Sequence, residues 1–476
     1  MNLRQVANLA VARLGLPIPM GKLATIHAVA QAIECDDTAM AFAEALADWV
    51  ATRELESQCL EAICPLLAVA PKPEVIALVR RAIGRPSIAS DALLALVTGS
   101  PVVVPTWTGC HSGPATNSSV LDEEEAQLRA GTFIPQVFTD QFQGLESQSG
   151  FPFMRQWAYE YKMLTDRYGR NGDGHLDYFR GSDRERVGQF VAHRSHLARS
   201  AFLRTLAFAV EHWGMPALIA SGYAEAAFPT EPIFMRFPPQ CAPEWACIIQ
   251  SNTAADVEDP PSFARKLIES LEAKLDGKLM HCSLSVVKEP RCQIEFEVFA
   301  IGGASDSLDA EQVVGFHRYL LGRITAEREA LEEFVCPDMG DGVSERLGFM
   351  PLLVPLIGYG VGYLQSDLVG RVPYVPASSA SLPYLKLVPV CNGAVFRADG
   401  RDVGSWNWWR WNWKPTHLRD QPAPIACCAS LSHDAVKQLA RDFDGDLEHV
   451  WCTTTWTREN DYGEWTEAKS YGRYRG

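Results

Sequence analysis

The spacing of apolar side chains changes once along this chain, and that change sets the class of fold. Up to about residue 277 they recur every three to four residues, the period that lines one face of a helix. From there Cys282, Leu284 and Val286 alternate, and Ile294, Phe296 and Val298 alternate against Glu295 and Glu297. A period of two sends neighbouring side chains to opposite faces of a strand. Residues 278–298 therefore read as a β-hairpin with one wet face, turning at Lys288-Glu289-Pro290-Arg291. The expected fold class is multidomain α+β: a helical N-terminal bundle, a mainly helical middle, and an α+β to β-rich, tryptophan-containing C-terminal half.

Taken in order, residues 1–98 read as six short helices packed as a bundle of the adaptor type. Asp37 is placed to cap one, with Phe42, Ala45, Leu46, Trp49 and Val50 on its apolar side; Pro73 suits a first turn, and Ser87 or Ser90 starts the sixth. Residues 99–118, with Pro101, Pro105 and Pro114, read as a linker. A mainly helical domain is expected over 119–277. Within it a long helix over 182–213 opens on the capping box Ser182-Asp183-Arg184-Glu185 and stops at Gly214-Met215-Pro216. Residues 278–335 form a hairpin followed by a helix capped by Asp309. Residues 336–476 read as β-rich, with hairpins turning at Asp399-Gly400 and near Asn460-Asp461-Tyr462-Gly463, and a short helix from Ser432.

At 476 residues, 47% hydrophobic and 21% charged, the chain has enough apolar surface to build several cores. A net charge of -15 and a pI near 5.3 exclude a protein that coats polyanions uniformly, because such a surface repels phosphate. Nucleic-acid contact would have to be local. The thirteen cysteines include no CxxC pair, which argues against a structural zinc site and for free thiols in a cytoplasmic protein. The uncharged run 347–366 carries Pro351, Pro355 and four glycines, and such a run leaves backbone groups unpaired in lipid, so no membrane span is expected. Arginine outnumbers lysine by about three to one, a usage bias of GC-rich bacterial genomes.

Local chemistry is densest over 151–213. Between residues 151 and 204 ten Arg or Lys face six Asp or Glu, a basic island in an acidic protein. Arg184, Arg186, Arg194, Arg199 and Arg204 are the candidate nucleic-acid contacts. The polar face of the long helix carries Arg186, Gln189, His193, His196, Ser200 and Arg204. His193 and His196, three apart, project to one side; with His175 and Asp177 from the preceding loop they are the candidate catalytic set of a metal-dependent hydrolase or nuclease. Asp173, His193 and His196 are the metal-ligand candidates. The loop Asn171-Gly172-Asp173-Gly174-His175-Leu176-Asp177 resembles the middle of an EF-hand loop, but Gly169 and Arg180 stand where the first and last ligands belong.

Eight of the thirteen tryptophans follow Ser405. In a strand Trp409, Trp411 and Trp413 share one face, which makes them candidate partner contacts if exposed and a small core if buried. Cys110-His111-Ser112 lies in the expected linker, where adjacent side chains point apart, so it is not read as a nucleophile set. Gly358-Tyr359-Gly360-Val361-Gly362 lacks the third glycine of a dinucleotide turn. No cofactor is expected. The sequence favours a non-catalytic interaction component of a bacterial multiprotein assembly, such as a phage-defence system, with protein partners and local nucleic-acid contact; the metal-dependent hydrolase is the alternative.

Overall fold

The structure, a computed structural model, describes residues 2–16, 19–116, 119–130, 134, 136–169, 193–230, 232, 235, 240–241, 243–246, 259–289, 291–303, 308–325, 348–356, 374–390, 393–410, 425–443, 445–460 and 463–476. It is a mixed α+β protein with a mostly antiparallel sheet in its C-terminal half. Packing divides it into two units, one built mainly of Met1–Arg236 and the other mainly of the chain from Phe237 onward. Among the described residues no helix is long and apolar enough to cross a membrane.

The first unit is helical: α1 (Leu3–Ala12), α2 (Pro19–Glu34), α3 (Ala39–Ala51), α4 (Glu56–Ala68), α5 (Pro73–Ala82), α6 (Ile88–Thr98), α7 (Ser119–Ala130), α8 (Gln136–Ser149), α9 (Phe153–Tyr168), α10 (His193–His212) and α11 (Ala217–Ala224). Local chemistry sets several ends. Ser87 and Ser90 cap α6 reciprocally, and Pro73 occupies the first turn of α5. Gly214, at φ 72°, terminates the chain leaving α10 in a conformation that other residues adopt at a cost. The expected cap at Asp37 is not used. Thr38 precedes α3 instead, and its hydroxyl donates to the Ala32 carbonyl.

One continuous apolar core joins residues from Ala7 to Met235, so it does not break at 99–118. The expected bundle over 1–98 and the described part of the expected middle domain up to Met235 share this core. Residues 99–116 are held against it, with Trp107 in the core and Asp91 accepting from both the amide and the hydroxyl of Thr106. Proline and glycine disfavour regular structure, but they do not prevent a segment from packing when side chains satisfy its backbone. The start of the predicted long helix, residues 182–192, lies outside the described residues. From His193 onward the helix is buried on nearly all sides, because Ser195, His196, Arg199, Ser200 and Thr205 are as enclosed as Leu197, Phe202 and Leu206.

Among the described residues the second unit contains a ten-stranded sheet: β1 (Gln240–Cys241), β2 (Lys278–Glu289), β3 (Cys292–Gly302), β4 (Met350–Pro351), β7 (Lys386–Val390), β8 (Gly393–Ala398), β9 (Arg401–Arg410), β10 (Ile425–Leu431), β11 (Leu447–Thr457) and β12 (Thr466–Tyr474). A separate pair joins β5 (Leu353–Pro355) to β6 (Tyr374–Pro376). The main path runs β12-β11-β3-β2-β10-β9-β8-β7. Hairpins β2/β3, β8/β9 and β11/β12 follow the alternation in the sequence. Asp399 and Gly400 both take positive φ, 48° and 77°, as a tight two-residue hairpin turn requires. The β2/β3 hairpin lies inside the path, paired to β10 on one side and β11 on the other. The expected units 278–335 and 336–476 both contribute strands to this sheet.

Helix α12 (Pro260–Leu275) covers one sheet face, where Phe263, Leu267 and Leu271 pack with Cys282, Val298, Cys428 and Trp451. On the other face, Phe299 and His281 lie against His317 of α13 (Ala310–Thr325) and against Tyr374. The expectation of one wet face is met only at half-buried Glu295 and Glu297; beyond them Phe299 and Ile301 are fully buried. The last helix, α14 (His433–Leu439), is capped by Ser432.

Candidate functional site

His175, Asp177, Asp173, Arg184, Arg186, Trp411 and Trp413 lie outside the described residues. The remaining candidates have defined positions, and most face inward. Trp409 is fully buried and meets Trp245 edge to face at 5.5 Å. Trp406 and Trp408 stack on each other and are also buried, so both faces of this strand are covered.

His196 does not form a metal pair with His193. It points into the core between α10 and α4, where its Nδ1 lies 2.8 Å from the Ser57 hydroxyl. The Ser57 amide donates to Ser200 Oγ, and the Ser200 hydroxyl donates to Ser57 Oγ. On the other side of the ring, Nε2 is 3.6 Å from Glu61, whose carboxylate accepts from Lys22 at 2.7 and 2.8 Å. Burial, then the charges of Lys22 and Arg199, hold His196 well below the usual histidine range, so the imidazole is neutral. Serine, imidazole and carboxylate thus stand in the order of an acyl-transfer triad. Ser57 is 0% exposed, however, and His196 only 3%, so a substrate has no approach. The arrangement satisfies polar groups that a helical core has enclosed.

The arginines behave similarly. Arg199 is 1% exposed, and Arg204 donates to Glu56 through Nε at 2.8 Å. Arg194 donates to Gln127. Elsewhere in the island, Arg155 pairs with Asp122 and Lys162 with Asp166.

The structure instead gathers ligand-type side chains where the sequence suggested a linker. Residues 106–115 are strapped to α9 and α10 by side chains that bond the strap's backbone. Glu160 accepts from the amide and hydroxyl of Ser112, both at 2.7 Å, and Gln156 accepts from the Ala115 amide while donating to the Gly113 carbonyl. Glu211 accepts from the Gly109 amide at 2.6 Å through Oε1, and its Oε2 lies 3.1 Å from His111 Nε2.

The Gly113 amide donates to His111 Nδ1 at 3.1 Å, which places the ring proton on Nε2, directed at Glu211. Phe208 meets the rings of both His111 and His212, and those two imidazoles stand edge to face at 4.9 Å. One ligand atom from each of His111, Glu211 and His212 falls within 4.8 Å of the others, the one such group of three among the described residues.

Burial opposes ionisation of Glu211, but the Gly109 amide and His111 prevail and hold its carboxyl below the usual range. Burial raises Glu160 despite its bonds to Ser112, and it raises the Cys110 thiol, which therefore lacks the thiolate character of a nucleophile. The sequence sets Cys110-His111-Ser112 aside as a nucleophile set, and the contact of His111 with Glu211 is not among its readings. The signal lay in its partners, Glu211-His212, a hundred residues away just before the helix-ending Gly214.

No protein-family model matches the chain, and no curated protein matches it.

Proposed function

We propose that the chain is a non-catalytic interaction component of a bacterial multiprotein assembly, of the kind that serves phage defence, with a protein as its principal partner. The observation that supports this reading is on α11. That helix buries Ala220 and Ala224 and turns Leu218 and Ile219 outward, 83% and 50% exposed. An amphipathic helix that packs on its own core does the reverse. Covering a leucine or isoleucine contributes roughly 1.5–3 kcal/mol, and this helix withholds both from its own fold. A protein surface that covers them gains what folding leaves unused.

The enclosure of His196 supports the same reading, because it takes one member of the hydrolase's candidate set out of reach of a substrate. Nucleic-acid contact through 151–204 is the finer part of the proposal and rests on the sequence excess of basic residues alone. Capture of partners from the native host tests the reading: Leu218→Asp with Ile219→Asp should lose a protein that the parent chain retains, with thermal stability unchanged. Equal capture by both chains would refute the role of this helix.

A further inference from the structure

We propose that His111, Glu211 and His212 form a binding site for one divalent transition-metal cation of the zinc class. Two imidazoles and one carboxylate suit zinc, cobalt or nickel; magnesium and calcium prefer all-oxygen shells. The spacing agrees. Bonds of 2.0–2.1 Å in a tetrahedral shell put neighbouring ligand atoms about 3.3 Å apart. His111 Nε2 and Glu211 Oε2 already stand at 3.1 Å, and no pair among the three ligand atoms exceeds 4.8 Å. The remaining closure falls on His212, which is exposed and at the end of its helix.

Two further features favour a cation here. Glu211 and His212 are the last two residues of α10, where the helix dipole is negative and an acidic side chain is disfavoured until a cation joins it. The second oxygen of Glu211 is fixed by the Gly109 amide, the kind of outer contact that orients a metal-bound carboxylate. Without metal, the Nε2 proton of His111 fills the space between imidazole and carboxylate. A cation takes that place. The ring proton then takes Nδ1, and the Gly113 amide loses its acceptor. That exchange sets two N–H donors against each other, costs about 1–3 kcal/mol and leaves a local mark, faster hydrogen exchange at Gly113. Three protein ligands leave one coordination position open to solvent.

The test is titration calorimetry of the chelator-treated full chain with zinc chloride and cobalt chloride, alongside amide exchange of Gly113. His212→Ala is the decisive variant, since an exposed side chain can be removed without disturbing the core. Its circular dichroism spectrum and melting temperature should match those of the parent. The parent should bind one equivalent that His212→Ala binds at least about tenfold more weakly. Zinc should also speed Gly113 exchange in the parent alone. Thiols elsewhere can take up zinc, so the proposal rests on the difference between the chains. It is overturned if the parent binds no metal, or if His212→Ala matches it in affinity and stoichiometry.

Discussion

Acid should destabilise the second unit through two histidines that burial keeps neutral. His281 Nδ1 donates to the Val298 carbonyl and His317 Nδ1 to the Val313 carbonyl, each at 2.9 Å. The Nε2 of each carries a lone pair with no hydrogen-bond partner, and the surroundings are Phe299, Phe316 and Tyr374. Burial pulls His281 down to about 3 and His317 to about 4, from an unfolded value of 6.5. Between those limits the unfolded chain binds protons that the folded one refuses. The contribution to stability is therefore complete above pH 6.5 and is lost as the pH falls toward 4 and then 3.

At pH 5, about 1.5 units below 6.5, each residue has cost roughly 2 kcal/mol, or about 4 for the pair. The assay is urea denaturation at pH 7 and pH 5, followed by tryptophan fluorescence, since nine of the thirteen tryptophans follow residue 236. The reference is the double variant His281→Asn and His317→Asn, which keeps both donors and removes both titrations. Parent stability should fall by about 4 kcal/mol more than the variant's over this interval. Equal falls in the two chains would refute the assignment.

Other predictions concern the enclosed polar network and close packing. Glu61→Gln leaves the Lys22 ammonium buried without its counter-ion and should lower stability by about 3–5 kcal/mol; adding Lys22→Met should recover much of it, and a double variant no better than the single one would contradict the pairing. Gly472→Ala drives a methyl group into the Trp451 ring and should cost about 1–3 kcal/mol in a urea titration, against no change if β12 shifts freely. Ser87→Ala removes a reciprocal cap and should cost about 0.5–2 kcal/mol by the same assay, with an unchanged midpoint as the contrary result.

What the sequence disclosed was local. Pro73 and Ser87 mark helix starts through first-turn chemistry, and Asp399-Gly400 marks a hairpin because its backbone needs two positive φ values. The order of strands was not legible, since pairing β2 with β10 joins residues far apart in sequence and no residue type announces a non-local neighbour. Residues 99–116 read as a linker because proline and glycine look alike in a free connection and in a strap bonded through Glu160, Gln156 and Glu211. The polar face given to α10 failed for a related reason. Periodicity assigns His196, Ser200 and Arg204 to water, but Ser57, Glu61, Lys22 and Glu56 supply polar company for them inside the fold. The His111, Glu211 and His212 group could be found only once the strap met the end of α10.

The most direct test of the account is native mass spectrometry of the endogenously tagged protein, purified gently from its host and treated with nuclease. The account predicts a stoichiometric heteromeric mass that survives the treatment and contains a second polypeptide. This polypeptide alone, or a larger particle that collapses to it with nuclease, would contradict the assignment as a component of a protein assembly.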